Sequence, residues 1–348
     1  MWNNGKNLLL AKFKEKIKQQ SLDAFLITNP YNIFYLTNLR IEGALILSPG
    51  ANILITSPLY AEEVSKNCHN WQIEIQKESL HASLLHLWKN LETMKIGFES
   101  SHISYQQYQK LITVGRHQFI PCQRVVESFR LIKEEKELAF IRRAFQATLI
   151  TLNYLEGKLQ PGITERQLYN QAVDKIHALA DEVAFSPIIL FGERTSLPHG
   201  RPSERKLNQG EGVLLDIGAK VENYCADLTR TVFFGEIDPE WQEIYNLVER
   251  AQIRGFEEIR PGEKASRIDQ VIREVIEKAG HGNSFFHGSG HGVGLEVHEQ
   301  PFLNRHSTHI LRAGMVVTVE PGIYLPGKGG IRLEKMVLIT DKGGEILK

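Results

Sequence analysis

The sequence has no long apolar run: nowhere in its 348 residues does a window approach the ~18 consecutive apolar residues that mark a membrane-spanning helix. The Leu8-Leu9-Leu10 stretch, set among Lys6, Lys12, Lys14, Lys16 and Lys18, is too short for the apolar core of a secretory signal and reads as an amphipathic first helix. Paired cysteines are also lacking. Cys68, Cys122 and Cys225 are odd in number and far apart, so disulfides are not expected and a reducing, cytoplasmic setting is. Nor is there an excess of charge of one sign. Lysine plus arginine equals aspartate plus glutamate at 41 each, which removes the global electrostatic footprint of a protein that binds nucleic acid or an anionic membrane. Any partner must be recognised locally.

What is present is globular in character, 42% apolar and 24% charged, and too long for one ordinary core, so two domains are expected. Residues 1–130 alternate short apolar runs, such as Ala24-Phe-Leu-Ile-Thr28 and Ala44-Leu-Ile-Leu47, with helical stretches, and predict a small α/β domain. Residues 131–348 form the second domain, of α+β character. It opens with Ile141, Ala144, Phe145, Thr148, Leu149, Leu152 and Leu155 at helical spacing, one long helix that stops before Pro161-Gly162.

The second domain contains a weak internal repeat. Leu207-Asn-Gln-Gly210 precedes Val213-Leu-Leu-Asp216-Ile-Gly218, and Leu311-Arg-Ala-Gly314 precedes Val317-Thr-Val-Glu320-Pro-Gly322. Ahead of each lies a helix opened by Pro-Gly, at Pro161-Gly162 with the capping box Thr164-Glu-Arg-Gln167, and at Pro261-Gly262. Two related halves facing each other bring Asp216 and Glu320 to a shared axis.

Asp216 and Asp227 lie on runs that read as a hairpin turning around Val221-Glu222, which sets Asp216 directly opposite Asp227 with both side chains on one face. Taken alone, two acids in a hairpin are ordinary surface. Glu320 ends an apolar run, however, and Glu334 interrupts Ile331 to Ile339, a predicted strand that puts Arg332, Glu334 and Met336 on one face and Lys335 on the other. Four acids in strand interiors are more simply explained by one cation site than by four isolated edge charges. His291, in the loop Gly288-Ser-Gly-His-Gly-Val-Gly294, adds a nitrogen donor left uncrowded by its glycines. One imidazole and four carboxylates describe a hard, oxygen-rich site for two divalent ions, with Mn²⁺, Co²⁺ and Zn²⁺ the candidates.

Rival motifs fail. The glycines around His291 do not fit a dinucleotide fingerprint, and Gly322 to Lys328 lacks the Ser/Thr of a phosphate loop because Gly329 stands there. His298-Glu299 opens a zinc motif whose second histidine is replaced by Phe302, and Ser289 has no nucleophile elbow around it.

Leu215-Asp-Ile-Gly218, Ala226-Asp-Leu-Thr-Arg-Thr231, Gly290-His-Gly-Val-Gly-Leu-Glu-Val-His-Glu299, Val319-Glu-Pro-Gly322 and Ile331-Arg-Leu-Glu334 together resemble the pita-bread metallopeptidases, in the branch of Xaa-Pro aminopeptidase and Xaa-Pro dipeptidase (prolidase). Pro198-His199-Gly200 and Asn32-Ile-Phe-Tyr-Leu-Thr37 extend the resemblance over nearly the whole chain. It implies a small creatinase/prolidase-type domain on a pita-bread domain with a pseudo-twofold repeat, and a homodimer. By position, it implies that Asp216 and Asp227 hold one metal, that Asp227 and Glu334 bridge, and that His291 and Glu320 complete the other. His199 and His298 match histidines that contact substrate and steady the tetrahedral intermediate, Glu320 a proton shuttle, and Arg332 an arginine beside the metals. The implied substrate is a peptide or dipeptide with proline second. A metal-free creatinase-type hydrolase and a non-catalytic peptide- or protein-binding module share the fold and remain the alternatives. Two departures stand out: Lys335, where relatives carry aspartate, and Phe302, where many prolidases carry an arginine that receives the dipeptide carboxylate. Arg305 and Arg332 are the cations that could substitute for it.

Overall fold

The computed structural model describes residues 2–88 and 91–348. The chain divides into two compact units, Met1–Arg130 and Leu131–Lys348. Among the described residues no helix is long and apolar enough to cross a membrane.

The first unit is built on a six-stranded sheet in the order Gln72–Ile75, Asn52–Thr56, Gly43–Leu47, Ala24–Ile27, Lys95–Glu99, Gln118–Cys122. Ala24–Ile27, Lys95–Glu99 and Gln118–Cys122 run parallel, whereas Gly43–Leu47 is antiparallel to both of its neighbours. The Ala24–Ile27 strand is buried at every position, which is why it reads as an unbroken apolar run rather than an alternating one.

The second unit opens with the helix Glu135–Glu156, and Ile141, Ala144, Phe145, Thr148, Leu152 and Leu155 form its buried stripe, as their spacing predicts. Thr148 is the polar member of that stripe. Its hydroxyl donates to Ala144 O and accepts from Ala219 N, so the group is satisfied inside the core and ties the helix to the sheet just beyond Gly218.

The repeat is visible in the hydrogen bonds. Gly162 N donates to Leu207 O as Gly262 N does to Leu311 O, Glu165 N donates to Arg205 O as Ala265 N does to His309 O, and the isolated bridges Thr164↔Lys206 and Lys264↔Ile310 correspond. In each half a helix, Glu165–His177 or Ala265–Lys278, starts from such a bridge. Only the first has the full capping box, Thr164 with Gln167; Lys264 caps nothing with its side chain. Each half then delivers one antiparallel strand toward the site, Glu211–Ile217 between Ile188–Phe191 and Leu228–Phe234, and Val316–Val319 between Gly290–Gly292 and Lys335–Thr340.

Two expectations about these strands are corrected. The hairpin after Asp216 turns on Glu222 and Asn223, both left-handed with φ of 49° and 72°, one residue later than Val221-Glu222. Such a two-residue turn matches the twist of its strands. Val221 therefore pairs with Tyr224, and Asp216 faces Thr229 rather than Asp227. The run Ile331 to Ile339 is likewise not one strand. Gly329–Arg332 pairs with Gly322–Leu325 in a separate ribbon, Lys335–Thr340 joins the five-stranded sheet, and Leu333 and Glu334 form the break.

Candidate metal centre

Each acidic candidate ligand sits at or beside the end of a strand. Asp216 is next to last in Glu211–Ile217, Asp227 lies between Tyr224–Cys225 and Leu228–Phe234, Glu320 follows Val316–Val319, and Glu334 occupies the break just described. His291 is central in the short strand Gly290–Gly292, not in a loop. Its flanking glycines are dictated by proximity: a Cβ on Gly290 would lie 2.1 Å from Thr318 O, and one on Gly292 2.2 Å from Gln300 O. No larger residue fits on either side.

These breaks bring the donors together. Asp216, Asp227 and Glu334 have carboxylate oxygens within 4.8 Å of one another, as do ligand atoms of His291, Glu320 and Glu334, and of Asp227, His291 and His298. Asp216, Asp227, His291 and Glu334 are buried. Asp216 Oδ1, Asp227 Oδ1 and Glu334 Oε1 have no hydrogen-bond partner. A buried carboxylate oxygen without a donor is costly, and three on carboxylates that cluster this closely fit a cation far better than they fit one another.

Neighbouring groups fix the remaining atoms. Thr229 Oγ1 donates to Glu334 Oε2 at 2.7 Å and accepts from Arg332 Nε at 3.1 Å. Arg332 Nη2 donates to Asp216 Oδ2, and Nη1 to Tyr324 Oη at 2.9 Å and Pro198 O at 3.3 Å. Tyr324 Oη donates in turn to His287 Nε2 at 2.8 Å, because His287 Nδ1–H is given to Gly288 O. His291 gives Nδ1–H to Gly292 O, so in its neutral form Nε2 carries the lone pair, 3.2 Å from Glu320 Oε1 and 3.6 Å from Asp227 Oδ2. His287, Tyr324 and Thr229 escape a sequence reading; their positions beside His291, Glu320 and Asp227 were the only signal.

The carboxylates also act on one another electrostatically. Burial, then Glu334, Asp216 and Glu320, push Asp227 well above the carboxylate range. Burial, with Glu320 and Asp216, lifts Glu334 to about 8, and burial raises Asp216 despite Arg332. Burial alone would also raise Glu320, but the hydrogen bond from His291 and the nearby positive groups hold it at about 2. The same contact raises His291 against its own burial. Carboxylates crowded in this way call for positive charge between them.

The cluster floors a cavity of about 470 Å³ in which Phe185, Ile188 and Phe302 provide apolar wall, and His199 and His298 also line it. Both histidines are exposed, and the His298 ring lies 4.3 Å from that of His291 at 66°. Burial and His291 lower the His298 pKa. Arg332 lines the cavity too, whereas Arg305 is exposed and outside it.

Residues 139–341 match the model of metallopeptidase family M24, and residues 10–132 match the creatinase/prolidase N-terminal domain. The chain belongs to metallopeptidase family M24. Membership makes it a peptidase of a family that works with divalent metal, and the donor set above fits such an ion. The expected architecture holds, a small α/β domain followed by the pita-bread domain of M24. An uncharacterized peptidase of Staphylococcus saprophyticus is 36% identical over 346 residues, spanning 97% of this chain and 98% of that one. Among solved structures, an Xaa-Pro dipeptidase from Bacillus anthracis matches with a TM-score of 0.94 at 33% identity, over 98% of this chain and 97% of its own. An X-Pro aminopeptidase from Thermotoga maritima matches this M24 chain at 0.85 and 31% identity, over 94% and 95%.

Proposed function

We propose that this chain is a dinuclear-metal exopeptidase that hydrolyses the bond before proline at the N-terminus of peptides or dipeptides, with Mn²⁺ as the working ion and Co²⁺ or Zn²⁺ able to replace it. The observation that carries the reading is the trio of donorless buried carboxylate oxygens beneath a cavity edged by two histidines. Asp216, Asp227, His291, Glu320 and Glu334 would hold the ions. Support for proline specificity comes from the two solved neighbours, each titled for Xaa-Pro or X-Pro cleavage.

When bound, the ion pair supplies a water of lowered pKa and a polarised carbonyl. The protein's share is positioning and proton handling. His291 presents Nε2 because Gly292 O holds its other nitrogen. Arg332 orients Asp216 and opposes the rise that burial gives its pKa, and Thr229 orients one oxygen of Glu334. Glu320, at the edge of the buried cluster with its side chain 16% exposed, accepts the proton that the attacking water gives up and passes it to the departing proline nitrogen. His298 and His199 donate hydrogen bonds to the developing oxyanion. Phe185, Ile188 and Phe302 receive the proline ring, whose nitrogen has no hydrogen to offer a polar wall. The three free thiols agree with a cytoplasmic setting.

Incubation of the Mn²⁺-loaded protein with Ala-Pro and Ala-Pro-Ala-Ala should release alanine from one or both, stop on exhaustive chelation and resume on adding Mn²⁺. Unchanged activity after chelation, or equal cleavage of Ala-Ala-Ala-Ala, ends the reading. Binding of these peptides without release of alanine would mark a binding module instead.

A further inference from the structure

Lys133 and Glu299 form an ion pair that the mechanism above does not use. Lys133 Nζ donates to Glu299 Oε2 at 3.2 Å, with side chains only 1% and 7% exposed. Burying two opposite charges strips both of water, and an apolar pair of similar volume is often as stable or more so. Stability alone is therefore a poor reason for such a pair. What it fixes is more informative.

Glu299 directly follows His298 and pairs with Gly292, the residue after His291. Its other oxygen, Oε1, accepts from Glu296 N at 3.1 Å and closes the turn that carries His298. Gly294 packs against the same carboxylate: a Cβ there would lie 2.6 Å from Glu299 Oε2. At the start of the turn Gly294 O accepts from Cys225 N, two residues before Asp227. The segment between Gly294 and Glu299 is thus pinned at both ends, and the one side chain it holds over the cluster is His298.

We propose that the buried Lys133–Glu299 pair is a positioning device for His298, holding its imidazole beside His291 at the mouth of the metal centre. Neither residue touches substrate. Both act through the turn, and their removal acts through His298 alone.

The test rests on the peptidase activity proposed above and uses the full chain loaded with Mn²⁺. Lys133→Met strands a buried carboxylate and can unfold the domain, so the informative variant is the double substitution Lys133→Met, Glu299→Leu, which removes both charges. It should keep the thermal midpoint within a few degrees of the parent and bind Mn²⁺ with unchanged stoichiometry. Its kcat on the best peptide should fall about 100–1000-fold, as expected when an oxyanion donor is lost, with KM little changed. Adding His298→Ala to the double variant should cost nothing more. A crystal structure of the double variant should show the His298 ring gone from its 4.3 Å place beside His291. That readout needs no activity, so it decides the matter even if no peptide is cleaved. Parental kcat in the folded double variant, a multiplicative loss on adding His298→Ala, or an unmoved His298 ring would overturn the proposal.

Discussion

Asp227 belongs to two of the three donor groups, lies in no strand, and has an oxygen that no donor reaches. Glu334 shares all three properties. Asp227→Asn and Glu334→Gln each remove a charge while keeping the shape, so both should fold and both should lose more than the ~10–100-fold in kcat/KM that the loss of a partner outside the ligand set costs. Bound Mn²⁺ per chain, measured alongside, should drop below that of the parent. Tyr324 is such an outer partner. Its hydroxyl takes a hydrogen from Arg332 and gives one to His287. Tyr324→Phe leaves the packing and deletes both bonds, so activity should fall by about 10–100-fold with the fold intact. An unaffected Tyr324→Phe enzyme would show that Asp216, Thr229 and Pro198 are enough to hold Arg332.

Among the elements, the hairpin at Glu222-Asn223 sets the register that places Asp216 across from Thr229. Asn223 has φ of 72°, a conformation that a Cβ-bearing residue without a polar side chain adopts at a cost of roughly 1–2 kcal/mol. Asn223→Ala should lower stability by about 1 kcal/mol in urea denaturation, and Asn223→Gly should restore most of it. Equal stability of the two variants would mean that this turn does not hold the register. The helices were the more legible elements. Glu135–Glu156 and the Thr164 capping box follow from spacing within one or two turns, which is local information. The strand breaks at Ala226-Asp227 and Leu333-Glu334 were not legible, because apolar alternation runs straight through them and only the partner strands decide where pairing stops.

For the molecule as a whole, the metal centre couples folding to pH. Glu334 is raised from its ordinary 4.5 to about 8, and Asp227 and His291 are also raised. A group raised on folding contributes stability that is complete below its unfolded value and is lost as pH climbs through its folded value. Glu320 is lowered to about 2, so its contribution is already complete above 4.5 and adds no slope there. The thermal midpoint of the metal-free protein should therefore fall between about pH 5 and pH 8, and Glu334→Gln should flatten the slope. On the proposed reading Mn²⁺ displaces these protons. Its binding at pH 7 should release at least one, read by calorimetry in buffers of different ionisation enthalpy, and should raise the midpoint, by the equivalent of roughly 2.7 kcal/mol at a hundredfold excess over Kd. Proton uptake on binding, or a midpoint indifferent to Mn²⁺, would contradict this account.

The sequence by itself determined which residues have the chemistry: four acids set within strand-like apolar runs, a histidine hemmed by glycines, and two halves built on one pattern. Those features are local, written in residue type and spacing. Only the tertiary structure decided how they meet. The register of one hairpin, the exit of Glu334 from its strand and the chain of hydrogen bonds from Asp216 through Arg332 and Tyr324 to His287 all depend on partners distant in sequence. Alternation along a strand says which face a side chain takes, but what waits on that face is set by strands and helices it cannot name.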